Sequence, residues 1–190
     1  MNKTPSSHAP SRIARIGPKT GSTGALIFIS VRNRYRVGGV AMVSERQDLV
    51  CRAAAVPGVA EPDNPPAPDL GVPDLGEPLA VQDLASDPVR LFHLSAMTFN
   101  GHRIHHDVDY ARTVEFYGGV VVHGPMQAVA MLNLAAKVLG ACPKVFSYRG
   151  LSPLICSEAA QVEAYGQDTG LTLRVVKPGG AVTMAGSASL

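Results

Sequence analysis

The sequence contains no tryptophan, and only 5% of its 190 residues are aromatic. A platform of rings on which single-stranded nucleic acid would stack is therefore not expected. Three widely spaced cysteines, with no Cys-x-x-Cys pair, disfavour a disulfide framework and a structural zinc site and favour a reducing compartment. No apolar run approaches the roughly 18 residues of a membrane span. We thus predict neither nucleic acid nor a membrane as a partner.

Acidic residues are scarce at the front of the chain. Residues 1–52 contain nine lysines and arginines but two acidic residues, whereas residues 53–190 contain eight basic and thirteen acidic residues. A basic front indicates an anion-binding surface or a targeting segment. Residues 1–22 are basic and acid-free, as in an organellar presequence, but their glycines and proline interrupt an amphipathic helix. We expect a cytoplasmic protein.

Residues 1–55 have the pattern of antiparallel strands. The β-forming run 25–31 is followed by a Gly38-Gly39 turn and a returning strand over residues 40–51. An earlier strand over residues 12–16 is expected to pair with them. Because no helix lies between these strands, the region needs something else to cover its faces.

Residues 56–87 are rich in proline and contain no lysine or arginine, which predicts an extended linker. Residues 88–190 then have an α+β pattern. A helix is predicted over residues 124–139, because Pro125 stands at its start, Gly140 follows its end and nearly all of its surface is apolar. Strands are expected at 144–149, 154–165, 171–177 and 181–189, which would form a curved sheet around that helix.

Polar side chains able to do chemistry are concentrated just before this helix and at its entry. Residues 99–107 (FNGHRIHHD) and 120–125 (VVVHGP) resemble the MaoC-like (R)-specific enoyl-thioester hydratase/dehydratase family, in its mesaconyl-CoA hydratase and type 2 hydroxyacyl-thioester dehydratase branch. Residues 146–154 and 185–188 also resemble this branch. Residues 24–32 and 45–50 are similar to the last strands of its N-terminal half.

The resemblance implies a hot-dog fold, in which an antiparallel sheet wraps a long helix and two such units pair. Residues 88–190 would be one complete unit and residues 1–55 part of a second. The implied reaction is reversible hydration of a 2-enoyl thioester carried on coenzyme A or an acyl carrier, with no further cofactor. A homodimer is expected, because a second copy of the chain could complete the pocket.

The resemblance places the family's catalytic histidine at His105 and its aspartate position at Asn100. An amide cannot ionise, so we expect His105 to act as general base and Asn100 to position water. Backbone N–H groups at the start of the long helix, on Gly124 and Met126, are expected to hold the thioester oxygen, since Pro125 has no N–H. Possible supporting residues are His102, Arg103, Tyr110, His123 and Arg149.

Each assignment has a plainer reading. His102 and His123 could be loop or helix-entry contacts, Tyr110 could simply pack, and Arg149 could be a solvated strand end rather than a phosphate contact. His102, His105, His106 and Asp107 could hold a metal ion, but we do not expect them to form a helical zinc site, so we predict none.

Two other functions stay open from the sequence. The missing helix of the N-terminal half suggests a non-catalytic acyl-CoA-binding or structural remnant of a larger dehydratase. A hot-dog thioesterase is the weaker alternative, because such enzymes commonly use an acidic residue near the helix and residues 124–139 contain none.

The sequence departs from the branch at one loop. Residues 116–119 read FYGG, where the branch usually has Gly-Tyr-Pro-Gly.

Overall fold

The computed structural model describes residues 7–21, 24–52 and 75–190. The chain divides into two compact units, Met1–Val56 and Pro57–Leu190. No helix of the described residues is long and apolar enough to cross a membrane.

The first unit is a sheet of long antiparallel strands. It contains β1 (Ser7–His8), β2 (Ser11–Gly21), β3 (Gly24–Val37) and β4 (Val40–Arg52). The central strand β3 pairs with β1 and β2 along one edge and with β4 along the other. Gly38 and Gly39 form the β3–β4 turn at φ 56° and 83°, a left-handed backbone that glycine adopts without strain. The predicted strands are confirmed.

The register of this sheet separates its side chains into an apolar face and a basic face. Directly paired residues of antiparallel strands point to the same face, and successive residues alternate between faces. The apolar face exposes Ile13, Ile16, Ile27, Tyr35, Val43 and Leu49. The opposite face carries Arg12, Arg15, Arg32, Arg34, Arg36 and Arg46. The described residues of this unit include no helix that covers the apolar face.

The described residues of the second unit form three α-helices and a five-stranded antiparallel sheet. Its helices are α1 (Pro88–Thr98), α2 (Val108–Thr113) and α3 (Gly124–Leu139), with a 3-10 turn at Arg103–His105. Its strands, in the spatial order β5-β7-β8-β9-β6, are β5 (Ala80–Asp83), β6 (Val145–Gly150), β7 (Gln161–Gln167), β8 (Gly170–Val176) and β9 (Val182–Ser189).

Helix α3 lies against this sheet as the hot-dog fold requires. It spans the predicted residues, and Gly140 ends it in a left-handed conformation at φ 72°. Met131 and Leu134 are almost completely buried on its inner face, together with core residues of β7, β8 and β9. Burying each such side chain contributes about 1.5–3 kcal/mol to folding. The predicted α+β hot-dog class is therefore confirmed.

Three elements differ from the sequence prediction. Residues 80–83, within the predicted linker, form β5 and pair with β7 at the edge of the sheet. Residues 154–160, predicted as strand, lie outside β7. Helix α1 was not predicted; the Asp87 side chain caps it by accepting a hydrogen bond from the Arg90 N–H, with Pro88 in its first turn. The remainder of the predicted linker before residue 75 lies outside the described residues.

Candidate active site

The two polar segments singled out from the sequence meet beside the start of α3. Helix α1 ends at Phe99 in a left-handed conformation, and the Asn100 N–H donates to the Ser95 carbonyl at 2.9 Å. The Asn100 Oδ1 then accepts a hydrogen bond from the His102 N–H at 3.1 Å. This contact engages the oxygen of the Asn100 amide and leaves its NH₂ group as the donor available to a ligand.

His105 is buried, and its neutral ring is held in one tautomer. Its Nδ1 lies 2.7 Å from the Val121 carbonyl oxygen. Since a carbonyl can only accept, Nδ1 carries the proton and Nε2 carries the free lone pair. The Val121 N–H in turn donates to the Ile104 carbonyl at 2.8 Å, which joins the two polar segments at this point.

Burial lowers the pKa of His105 below 6.5, although the Val121 carbonyl acts in the opposite direction. His102 and His106 lower this pKa further by charge repulsion. The His102 ring meets the His105 ring edge-on, with centroids 5.8 Å apart. At neutral pH, His105 is therefore an unprotonated base with its lone pair on Nε2.

His123 packs directly on the face of His105. The two ring centroids are 3.7 Å apart and the ring planes differ by 17°. The Nε2 of His123 lies 2.9 Å from the Ser95 Oγ, while its Nδ1 has no hydrogen-bond partner. His123 is 1% exposed, and burial followed by repulsion from His105 lowers its pKa to about 4. It therefore stays neutral at physiological pH.

A groove of about 350 Å³ lies against these residues. Its walls come from the end of α1 and the loop after it, and consist of Phe92, Ser95, Ala96, Phe99, Asn100, Gly101 and His106. Asn100 thus lines the groove directly, whereas His105 is not part of the wall and lies one residue before His106, which is. The lining is mostly apolar with few polar groups, as is usual for small-molecule sites.

The first turn of α3 supplies backbone donors to the same region. Gly124 is its first residue, so its N–H has no acceptor within the helix and lies at the positive end of the helix dipole. The Met126 N–H donates to the His123 carbonyl at 3.1 Å. Gly124 is accordingly the better placed of the two amides predicted to hold an oxyanion.

Two of the other predicted residues, Arg103 and Tyr110, contact each other beside α2. Arg103 forms an ion pair with Asp107 at 2.6 Å and covers the Tyr110 ring, with its guanidinium carbon 4.3 Å from the ring centroid. The Tyr110 hydroxyl donates to Glu115 at 3.1 Å. Arg149 is exposed on β6. These contacts occupy Arg103 and Tyr110 in holding the α2 region.

The Asp107 carboxylate helps to hold this region in place. Hydrogen bonds from the Tyr110 N–H and then from the Arg103 side chain lower the pKa of this carboxyl, so it stays ionised as the cap of α2. Within residues 7–21, 24–52 and 75–190, no three His, Cys, Asp or Glu side chains are grouped so as to hold a metal ion.

Sequence reasoning did not identify Ser95. The only sequence signal was a serine four residues after Leu91, on the helix face that both residues bury. Its partner His123 lies 28 residues further along the chain, so only the tertiary structure reveals the contact.

Comparisons with known proteins find similarity to a family of thioester dehydratases. The family model for hydroxyacyl-thioester dehydratase type 2 matches residues 8–156. Mesaconyl-C(4)-CoA hydratase of Chloroflexus aurantiacus is 32% identical over 180 residues, which cover 94% of this chain and 61% of that protein. The chain therefore spans about three-fifths of this relative's length.

Solved structures show the same fold at lower sequence identity. HtdX of Mycobacterium tuberculosis superposes with a TM-score of 0.66 and 18% identity, covering 97% of this chain and 68% of that one. A MaoC-like dehydratase superposes with a TM-score of 0.69 and 15% identity, covering 97% and 70% respectively. Both likenesses extend over almost the whole of this chain.

Proposed function

Because the chain belongs to the type 2 hydroxyacyl-thioester dehydratase family, we propose that it is a hydro-lyase that reversibly adds water to a 2-enoyl thioester. The observation that carries this proposal is the fixed form of His105, a neutral buried imidazole whose Nδ1–H donates to the Val121 carbonyl. The Nε2 lone pair is the one basic site of this ring. His105 belongs to the segment after α1, in which Asn100 lines a mostly apolar groove.

In the hydration direction, His105 Nε2 removes a proton from water while the water oxygen bonds to C3 of the enoyl group. The C2–C3 π electrons move toward the carbonyl, so negative charge develops on the thioester oxygen. The His105 imidazolium then returns a proton to C2, which restores the thioester carbonyl and the neutral ring. Dehydration is the reverse sequence.

Asn100 acts as a neutral holder of the water. Its oxygen accepts from the His102 N–H, so its NH₂ group donates to the water oxygen and leaves the water's hydrogens for His105. An amide takes no proton at any working pH. His105 is therefore the only member of this pair that can move a proton. It both deprotonates the water that adds to C3 and returns the proton to C2.

The Gly124 N–H stabilises the thioester oxygen. It is a preoriented donor at the helix N-terminus, where developing negative charge is favoured. Met126 would add to this site only if its N–H exchanged its bond to the His123 carbonyl for one to the ligand. His102 supports the site through its edge contact with His105.

The substrate is a CoA or acyl-carrier thioester, and no further cofactor takes part. Arg149 is the exposed cation that we assign to the thioester's phosphates, since Arg103 is already paired with Asp107.

We also place the protein in the cytoplasm as a homodimer. Support for the dimer comes from the apolar side chains that the first unit exposes, because monomers seldom leave large apolar patches uncovered. Support for a reducing compartment comes from the three free cysteines.

A binding protein without catalysis is the second candidate. The described residues of the first unit are strands with no helix, so that unit resembles half of a hot-dog. A chain of this kind could retain the groove and bind an acyl thioester without turning it over.

Purified protein offered crotonyl-CoA and mesaconyl-CoA tests the proposal. Hydration is followed by loss of the ultraviolet absorbance of the conjugated thioester. We expect turnover that falls by about 10²- to 10⁴-fold in His105→Ala, the usual contribution of a general base. His93→Ala is the matched control, since His93 is an exposed histidine of α1.

Turnover that His105→Ala leaves intact would refute the mechanism. Thioester binding by calorimetry with no turnover of either substrate would favour the binding protein. Release of free CoA without hydration would instead indicate a thioesterase.

A further inference from the structure

Ser95 and His123 form a buried hydrogen-bonded pair that the mechanism above does not use. Ser95 reaches this pair from α1, and His123 stands immediately before α3. The His123 ring packs against the His105 ring at 3.7 Å with its plane nearly parallel. Ser95 also lines the groove. The pair therefore connects the groove wall to the face of the base.

The buried surroundings of the His123 ring disfavour a positive charge on it. Its single polar contact is the 2.9 Å bond between Nε2 and the Ser95 Oγ, and its Nδ1 is buried without a partner. Adding a second proton to His123 would place a positive charge and an unpaired N–H in the interior, on a ring that stacks on another imidazole. Such a buried charge is strongly disfavoured.

A neutral ring stacked on His105 has two consequences for that residue. It fixes the plane of the His105 ring, which the Val121 hydrogen bond alone leaves free to tilt. Its π face also lies against the imidazolium that forms when His105 takes a proton from water, and aromatic faces attract cations. Both effects require the ring to stay where Ser95 holds it.

The same contact could be a nucleophile and its base, since a serine lies within hydrogen-bond distance of a histidine. In that arrangement a third group orients the histidine through its other nitrogen. The Nδ1 of His123 has no such partner, and a pKa of about 4 makes it a weak base. The geometry therefore favours positioning over acyl transfer to Ser95.

We propose that Ser95 and His123 are positioning residues for His105, with Ser95 anchoring the His123 ring and the ring holding and supporting His105. This inference rests on the proposed function for its kinetic consequences. Its structural core, control of the His105 ring by His123, can be measured without substrate.

The test compares Ser95→Ala, His123→Phe and His123→Leu with the unmodified protein. His123→Phe keeps an aromatic face and loses the hydrogen bond, whereas His123→Leu keeps bulk and loses the ring. We expect kcat to fall by about 10- to 100-fold in His123→Leu and by less in the other two, with KM within about twofold, because small misplacements of a catalytic group have effects of this size.

The pH profile distinguishes positioning from general support of the fold. The titratable groups near His105 are His102 and His106 on its own turn and His123 from the start of α3, while Arg103 and Asp107 pair with each other. His123→Leu removes the π face that supports the imidazolium, so we expect the acid limb of kcat/KM to move to lower pH. In His123→Phe it should stay in place.

Long-range ¹H–¹⁵N spectra of the imidazoles supply a readout that needs no turnover. We expect the unmodified protein and His123→Phe to show one sharp set of His105 ring signals with Nδ1 protonated, and His123→Leu to keep Nδ1 protonated toward Val121 but to show these signals broadened by exchange among ring orientations. Equally sharp His105 ring signals and an unmoved acid limb in His123→Leu would overturn the inference even if the enzyme is active. An acylated Ser95 found by mass spectrometry would also overturn it.

If no variant and no substrate gives turnover, the proposed function fails, while the imidazole spectra still decide whether His123 controls His105.

Discussion

The buried neutral state of His123 predicts a specific loss of folding stability in acid. The pKa of this ring falls from 6.5 to about 4 on folding. Below pH 6.5 the unfolded chain binds a proton that the folded chain refuses, so stability decreases as pH falls and the loss is complete near pH 4. Above pH 6.5 both states are neutral and the residue contributes no pH dependence.

The size of the effect follows from the size of the shift. One unit of pKa difference corresponds to about 1.4 kcal/mol. Between pH 7 and pH 5 the folded protein should therefore lose about 2 kcal/mol through His123, rising to about 3 kcal/mol by pH 4. His123→Phe cannot titrate and should lack this part of the acid sensitivity.

Urea denaturation followed by helical circular dichroism measures it. The three described α-helices all lie in the second unit, so their signal reports the unit that contains His123. The unmodified protein and His123→Phe are compared at pH 7 and pH 5. Losses at the other titratable groups, His105 included, are common to both proteins and cancel in the difference. Equal acid losses in the two proteins would refute the assignment of a buried, neutral His123.

Two further predictions concern the sheets. Arg12, Arg32 and Arg46 lie directly opposite one another across β2, β3 and β4. Because like charges in such pairs repel, Arg32→Gln should stabilise the first unit by about 0.2–1 kcal/mol at low salt, as measured by hydrogen exchange of the β3 amides. A gain in stability that persisted at 1 M salt would contradict this electrostatic origin. A Cβ added at Gly186 would lie 2.6 Å from the Ser147 carbonyl oxygen and 3.3 Å from the Met131 Cε. Gly186→Ala should therefore lower the free energy of unfolding by about 1–3 kcal/mol in urea titration, whereas Gly150→Ala, on the neighbouring strand with no atom within 4 Å of the added Cβ, should leave it nearly unchanged.

The sequence predicted α3 to the residue because its ends are determined locally. Pro125 fixes a helical backbone in the first turn, and Gly140 takes the left-handed conformation that ends the helix. The sheet strands β8 and β9 follow from their apolar pattern and from the Gly179-Gly180 turn between them. These signals depend on neighbours in sequence, so no tertiary knowledge is required to recognise them.

Helix α1 and strand β5 depend on contacts that the local sequence does not encode. The helix buries only Leu91 and Ser95 and exposes Phe92 and Met97, so it lacks the apolar stripe that marks an amphipathic helix. Strand β5 has four residues and pairs with β7 some eighty positions later. Both elements are stabilised by contacts with the rest of the folded unit, such as the pairing of β5 with β7.

The four histidines of the site show the same limit at the level of chemistry. All four stand within 22 residues, and no property of the side chain itself distinguishes them. Their roles differ because His102 and His106 are exposed, while His105 and His123 are buried.

The partners of the two buried rings then separate base from support. A carbonyl opposite Nδ1 makes His105 a base at Nε2, whereas a serine at Nε2 and nothing at Nδ1 keep His123 neutral and stationary. With an amide rather than a carboxylate at Asn100, no second group in this pair can share the proton. The reaction we propose therefore depends on the single imidazole of His105. The rate should then depend on how well the residues packed against that ring, His123 above all, keep it in position.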